Sequence, residues 1–164
     1  MAEIETIRDY IIRNEGKKNA MYKDSLGIPT IGVGFNLKRG DAPAKIAALG
    51  LSYNNVLAGT QTLTDDQIYS LLDADINVSI NQTAKRLFPD FDNIDDDRQV
   101  ILIDLSFNMG YTRLSGFKNT IAAINSGDWE RAADELQDSN WFRQVGNRAI
   151  RNVETIRSGI LQTT

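Results

Sequence analysis

The chain has neither cysteine nor histidine among its 164 residues. Without cysteine there is no disulfide, no zinc–thiolate site and no thiol nucleophile. Without histidine there is no serine–histidine relay, no histidine-ligated metal and no imidazole base. Acid–base chemistry is left to Asp and Glu, with Lys and Tyr as weaker candidates. No apolar run approaches the roughly 20 residues of a membrane-spanning helix, so no membrane insertion is expected. The opening residues are charged from Glu3 onward and lack the apolar core of a signal peptide. Positive charge is also in deficit: 18 Lys and Arg face 22 Asp and Glu, a net charge of −4. Nucleic-acid binding rests on clustered cations that neutralise phosphates, and is not expected here.

What is present suits a compact fold. Hydrophobic residues make up 41% of the chain and are spread along it, which argues against disorder. A chain of this length buries about 70% of its unfolded surface, so it needs no metal or disulfide to fold. No cofactor is expected. There is no internal repeat and no low-complexity linker.

Ile4, Ile7, Ile11 and Ile12 recur at helical spacing up to a stop near Gly16. Tyr22–Asp24 and Thr30–Phe35 then read as short strands joined by a turn at Ser25-Leu26-Gly27. Gly32 and Gly34 alternate with Ile31 and Val33, leaving one strand face bare for close approach of another group. Asp41 and Pro43 predict a helix start. Thr64-Asp65-Asp66-Gln67 is a capping box opening a long amphipathic helix to about Arg86, with Leu71, Leu72, Ile76, Ile80 and Ala84 as its apolar stripe. Asp95-Asp96-Asp97 caps a helix over 98–108 that is apolar almost all round, as a central buried helix is. Gly110 and Gly116 interrupt the chain, and short helices follow near 117–125, 128–137 (capped by Asp128) and 146–158. The predicted class is α+β: mostly helical and two-lobed, with a small N-terminal antiparallel sheet and a long helix linking the lobes. One catalytic domain spans 1–164, with a small α/β lobe at about 14–64 and a helical lobe at about 65–164 that also takes the N-terminal helix 3–14.

Three residues near the start carry chemistry. Glu15 sits in the last turn of a helix, where the dipole disfavours negative charge. A solvated glutamate is one reading of that position; the same field would help a carboxyl hold a proton, and taken alone the two readings stand level. Asp24 in Lys-Asp-Ser-Leu-Gly is a good turn residue, and Thr30 an ordinary strand residue. Read singly, those two are structural. Together the three supply an acid, a base and a water-holding hydroxyl, the set that hydrolysis of an acetal bond requires.

Glu15, Tyr22-Lys23-Asp24 and Thr30-Ile31-Gly32-Val33-Gly34 resemble the pattern of phage T4-type lysozymes, glycoside hydrolase family 24. The likeness continues through Phe107-Asn108-Met109-Gly110, Gly116-Phe117-Lys118-Asn119-Thr120, Asp128-Trp129-Glu130-Arg131 and Trp141 to Ala149. The resemblance implies a lysozyme-like fold. It also implies hydrolysis of the β-1,4 bond between N-acetylmuramic acid and N-acetylglucosamine in peptidoglycan, with inversion. Glu15 would then be the general acid, Asp24 the opposing carboxylate and Thr30 a holder of the attacking water. An inverting pair stands roughly 6.5–9.5 Å apart to admit that water. Asn36, Phe107 and Thr120 fall at sugar-contacting positions, although Phe107 also reads as core. Arg148 falls where it would ion-pair with Glu15; otherwise it is a solvated surface arginine. Phe35 departs from the family's histidine, removing any charge pair there.

The expected partner is peptidoglycan glycan strands, met as a monomer. The expected setting is a phage endolysin made in the host cytoplasm without a signal peptide and acting at the cell wall, in the periplasm, after release. A non-catalytic peptidoglycan-binding module is the alternative, which would not need all three of Glu15, Asp24 and Thr30. A helical interaction protein unrelated to sugars is a third reading.

Overall fold

The computed structural model describes residues 1–163. It is mostly helical with one three-stranded antiparallel sheet, the α+β class expected. The chain falls into two compact units. A sheet unit spans Ile11–Asp75, and a helical unit takes Met1–Tyr10 and the chain from Ile76 onward. Among the described residues no helix is long and apolar enough to cross a membrane.

In the sheet unit, α1 (Ile4–Glu15) ends where Gly16 adopts φ 82° and its N–H bonds Ile12 O at 2.7 Å. Strands β1 (Lys18–Lys23), β2 (Pro29–Gly32) and β3 (Phe35–Asn36) follow, paired in that order. The single strand expected over Thr30–Phe35 is two strands. Gly32 and Gly34 take φ 64° and 67°, left-handed values that reverse the chain and that other residues adopt only at a cost. The bare positions are used for close approach as expected: a Cβ at Gly32 would stand 3.3 Å from Ile68 Cγ2.

Helix α2 (Ala42–Ala48) starts at Asp41 with proline in its first turn, but Asp41 makes no side-chain cap. Its carboxylate instead meets Arg39, whose Nε and Nη2 lie 2.9 and 2.8 Å away. Arg39 also reaches Asp75 at 2.7 Å and lies 4.4 Å from the Phe35 ring centre. Phe35 carries no charge of its own, and a cation stacks on it instead. A short α3 (Tyr53–Leu57), capped by Ser52, was not anticipated. The capping box is formed reciprocally: Thr64 N–H donates to Gln67 Oε1 at 2.9 Å, and Gln67 N–H to Thr64 Oγ1 at 3.2 Å. It opens α4 (Asp65–Ser79).

Helical residues continue from α4 through a π-helical turn (Ile80–Ala84) into α5 (Lys85–Leu87), matching the long helix expected. The stripe Leu71, Leu72, Ile76, Ile80 and Ala84 is buried throughout. In the helical unit α6 (Asp96–Ser115) is capped by Asp95 and buried from Gln99 to Ser106, with a break at Gly110. Helices α7 (Lys118–Asn125) and α8 (Trp129–Gln137) fall where expected, and Asp128 caps α8 by accepting from Arg131 N–H at 3.2 Å. A short α9 (Asn140–Val145) precedes α10 (Asn147–Ser158). Helix α10 packs on both α8 and α6.

Candidate active site

Four of the expected site residues lie in the sheet unit. Glu15 ends α1, half-buried, and a Cβ at Gly34 would stand 3.9 Å from its Oε2. The carboxyl therefore rests beside the bare turn between β2 and β3. Asp24 follows β1 and builds the turn back to β2. Its Oδ1 accepts from the N–H groups of Leu26 at 2.8 Å and Ile28 at 2.9 Å. This is the local bonding that makes aspartate a turn residue. It also leaves Oδ2 with no hydrogen-bond partner among the described residues.

Thr30 is buried at the centre of the sheet, opposite Tyr22 on one side and Asn36 on the other. Its hydroxyl donates to Ile28 O at 2.9 Å. With the proton so directed, the oxygen's lone pairs are the part it can offer to another group. Asn36 accepts from Lys38 N–H at 2.7 Å through Oδ1, which leaves its amide NH2 to donate. Tyr22 links the two acids electrostatically: burial, then the charges of Glu15 and of Asp24, push its phenol above the ordinary value. Both carboxyls thus act on one phenol.

The other three lie in the helical unit. Phe107 is half-buried on α6, and Thr120 is buried on α7. Thr120 lines a cavity of about 360 Å³ with Phe117, Asn119, Ser139 and Trp141. Arg148, on α10, is not a solvated surface arginine. It is 8% exposed and grips Asp104 bidentately, Nε to Oδ2 at 3.0 Å and Nη2 to Oδ1 at 2.7 Å. Asn152 Nδ2 adds a bond to Asp104 Oδ2 at 2.9 Å, and Tyr10 donates to Asn152 Oδ1 at 2.5 Å. Burial and then the charge of Asp104 push the Tyr10 phenol well up.

Sequence reasoning did not single out Asp104. Its signal was a lone carboxylate in the otherwise apolar run from Val100 to Phe107, a residue type almost never fully buried without a partner. Tyr22 was seen as a landmark of the turn but not as a member of the site.

The α+β fold, with its small antiparallel sheet, and the family match define a glycoside hydrolase of the lysozyme class. The chain belongs to the phage lysozyme family, whose model matches residues 12–157. It is similar to "Probable T4-type lysozyme 1" of Dictyostelium discoideum, 29% identical over 96% of this chain and 97% of that one. "Probable T4-type lysozyme 2" of the same organism is 28% identical over 97% and 98%. The chain is also 27% identical to the pre-baseplate central spike protein Gp5 of Enterobacteria phage T4, over 96% of this chain but 28% of that protein.

Proposed function

We propose that this lysozyme is a muramidase cutting the β-1,4 bond between N-acetylmuramic acid and N-acetylglucosamine in bacterial peptidoglycan, with inversion at the anomeric carbon. Glu15 gives its proton to the glycosidic oxygen as the bond breaks. Asp24 takes one proton from a water that attacks the opposite face of the sugar, and Thr30 holds the other. The observation that carries this reading is the division of labour on Asp24. Oδ1 is fixed by two backbone N–H groups while Oδ2 is left to act, so the base is oriented and still available. The Thr30 hydroxyl, its proton given to Ile28 O, offers a lone pair to the same water. The water is thereby aimed, with both its protons engaged and a lone pair left for the sugar.

Asn36, Phe107 and Thr120 contact the glycan, and Arg148 supports Glu15, the roles that the family resemblance implies. The residues 1–164 act as one catalytic domain and as a monomer. The biological role is that of a phage endolysin, acting on the wall from the periplasm. A wall-binding module without catalysis would leave the free Asp24 oxygen without a use.

The test is mass analysis of soluble products from purified peptidoglycan. Muramic acid reducing ends are expected from the wild type, and a loss of turnover of at least about a hundredfold from Glu15→Gln, the scale of a general acid's contribution. Glucosamine reducing ends, or an active Glu15→Gln variant, would overturn the reading. Inversion is read separately from the anomer first formed, by proton NMR.

A further inference from the structure

Tyr22 has no part in the scheme above, yet the strand pairing that positions Thr30 positions it too. It lies directly across the ladder from Thr30, which in turn faces Asn36. Residues opposite one another in antiparallel strands project from the same side of the sheet, so Tyr22, Thr30 and Asn36 form one row. Asp24 comes two residues after Tyr22, and the bond from Asp24 N–H to Ile28 O at 3.0 Å carries the ladder one step further, so alternation puts it on that same side. The Lys18 ammonium lies 5.1 Å from the Tyr22 ring centre, a contact that restrains the ring. The phenol feels the charges of both Glu15 and Asp24, which keeps it a neutral O–H. The side chain is half-buried, and its hydroxyl has no hydrogen-bond partner among the described residues. The hydroxyl is not among the buried polar atoms, so it is open to solvent and reachable by a ligand that meets the row of Thr30 and Asn36.

We propose that the Tyr22 hydroxyl touches the glycan itself, exchanging a hydrogen bond with a neutral polar group, hydroxyl or acetamido, of the aminosugar whose bond lies between Glu15 and Asp24. This rests on the muramidase reading. The partner is neutral because the charges of Glu15 and Asp24, both of which act on this phenol, oppose an anionic group there. The contact fixes the ring against the row of Thr30 and Asn36, and so sets the angle at which the scissile oxygen meets Glu15.

Tyr22→Phe keeps the ring and its contact with Lys18 and deletes the hydroxyl alone. Turnover of purified peptidoglycan is the readout, with Glu15→Gln measured beside it and Tm recorded for each variant. Tyr22→Phe is expected to lower kcat/KM at least about fivefold, the loss that goes with one deleted hydrogen bond to substrate, with Tm within about 2 °C of the wild type. A kcat/KM within twofold of wild type, with Glu15→Gln inactive, would overturn the role of Tyr22 and leave the muramidase reading standing. A loss accompanied by a drop in Tm beyond about 5 °C would make the residue structural and also overturn it. An active Glu15→Gln variant would bring down both.

Discussion

At the scale of single residues, the largest electrostatic commitment outside the sheet is Asp104. It is fully buried, and burying a carboxylate is expensive unless its charge is matched. Arg148 matches it with two parallel N–H···O bonds, and Asn152 fills a further acceptor site. Removing Asp104 takes a bidentate carboxylate partner from the buried Arg148, which costs about 3–5 kcal/mol. Asp104→Ala should therefore lower Tm by roughly 6–20 °C, as read by thermal unfolding of a chain this size. Asp104→Asn keeps the shape and one acceptor and should lose less. Equal stability of Asp104→Ala and wild type would show that Arg148 does not depend on this partner. The sequence displayed the isolated carboxylate, but its partner lies 44 residues on, and nothing local points across that gap. Thr30 illustrates the same limit. Residue type and spacing made it a candidate, while the row it forms with Tyr22 and Asn36 depends on a register that appears only when three strands pair.

At the scale of elements, the strongest sequence signals were terminal ones. The capping box of α4 and the Asp caps of α6 and α8 all formed, because each satisfies a backbone N–H that the helix itself cannot. The two helices left unread, α3 and α9, have five and six residues, too few to display a period; their only signals were the caps Ser52 and Ser139. The strand expected over Thr30–Phe35 failed as one element because alternation of glycine with Ile and Val reads as a strand whether or not the glycines take positive φ. The start of α4 also carries a pH dependence. Lys17 lies 2.8 Å from Asp65, and Asn19 donates to the same oxygen at 3.1 Å. Those bonds, Lys17 first, hold the Asp65 carboxyl below its ordinary value, while Asp65 holds the Lys17 ammonium above its own. A carboxyl whose folded value is depressed contributes stability above its unfolded value, about 4, and loses it as pH falls through the folded one. The lysine's contribution is present below about 10.4 and lost as pH rises through its raised value. Asp65 is exposed and Lys17 only half-buried, so solvent screens the pair and the effect is small. Between about pH 5 and 9, Asp65→Asn should have a lower Tm than wild type, and the two should converge as the solution is taken toward pH 2. A constant difference across that range would mean that Asp65 acts through helix capping geometry and not through charge.

At the scale of the whole molecule, the family likeness spans residues 12–157, yet the charge is what sets this chain's behaviour on a polymer. The net charge is −4, and several of the basic residues are held in ion pairs in the structure. Arg148 is held by Asp104, Arg157 by Glu130 and Asp134, and Lys17 by Asp65. Arg39 lies between Asp41 and Asp75, and Arg98 bonds Asp95. A cation already paired adds little to the field beyond its partner, so these five do little to draw in an anionic cell wall. The net charge itself gives no long-range pull toward an anionic polymer, and the ion pairing works in the same direction. Salt screens exposed charges over a length of about 10 Å at 0.1 M. A lysozyme drawn to the wall by its own positive charge loses rate as that attraction is screened, whereas this one has mainly repulsion to lose. Its kcat/KM on purified peptidoglycan should stay level or rise by up to about threefold as salt is raised from about 20 to 200 mM at constant pH. The decisive comparison is a variant carrying Asp66→Lys and Asp73→Lys, two acidic positions on α4, which lifts the net charge to zero by the arithmetic −4 + 4. That variant should gain rate at 20 mM and match the wild type at 200 mM. A several-fold fall in the wild-type rate with added salt would instead place a working cation, with Lys18 or Lys23 the first to replace, beside the carboxyls.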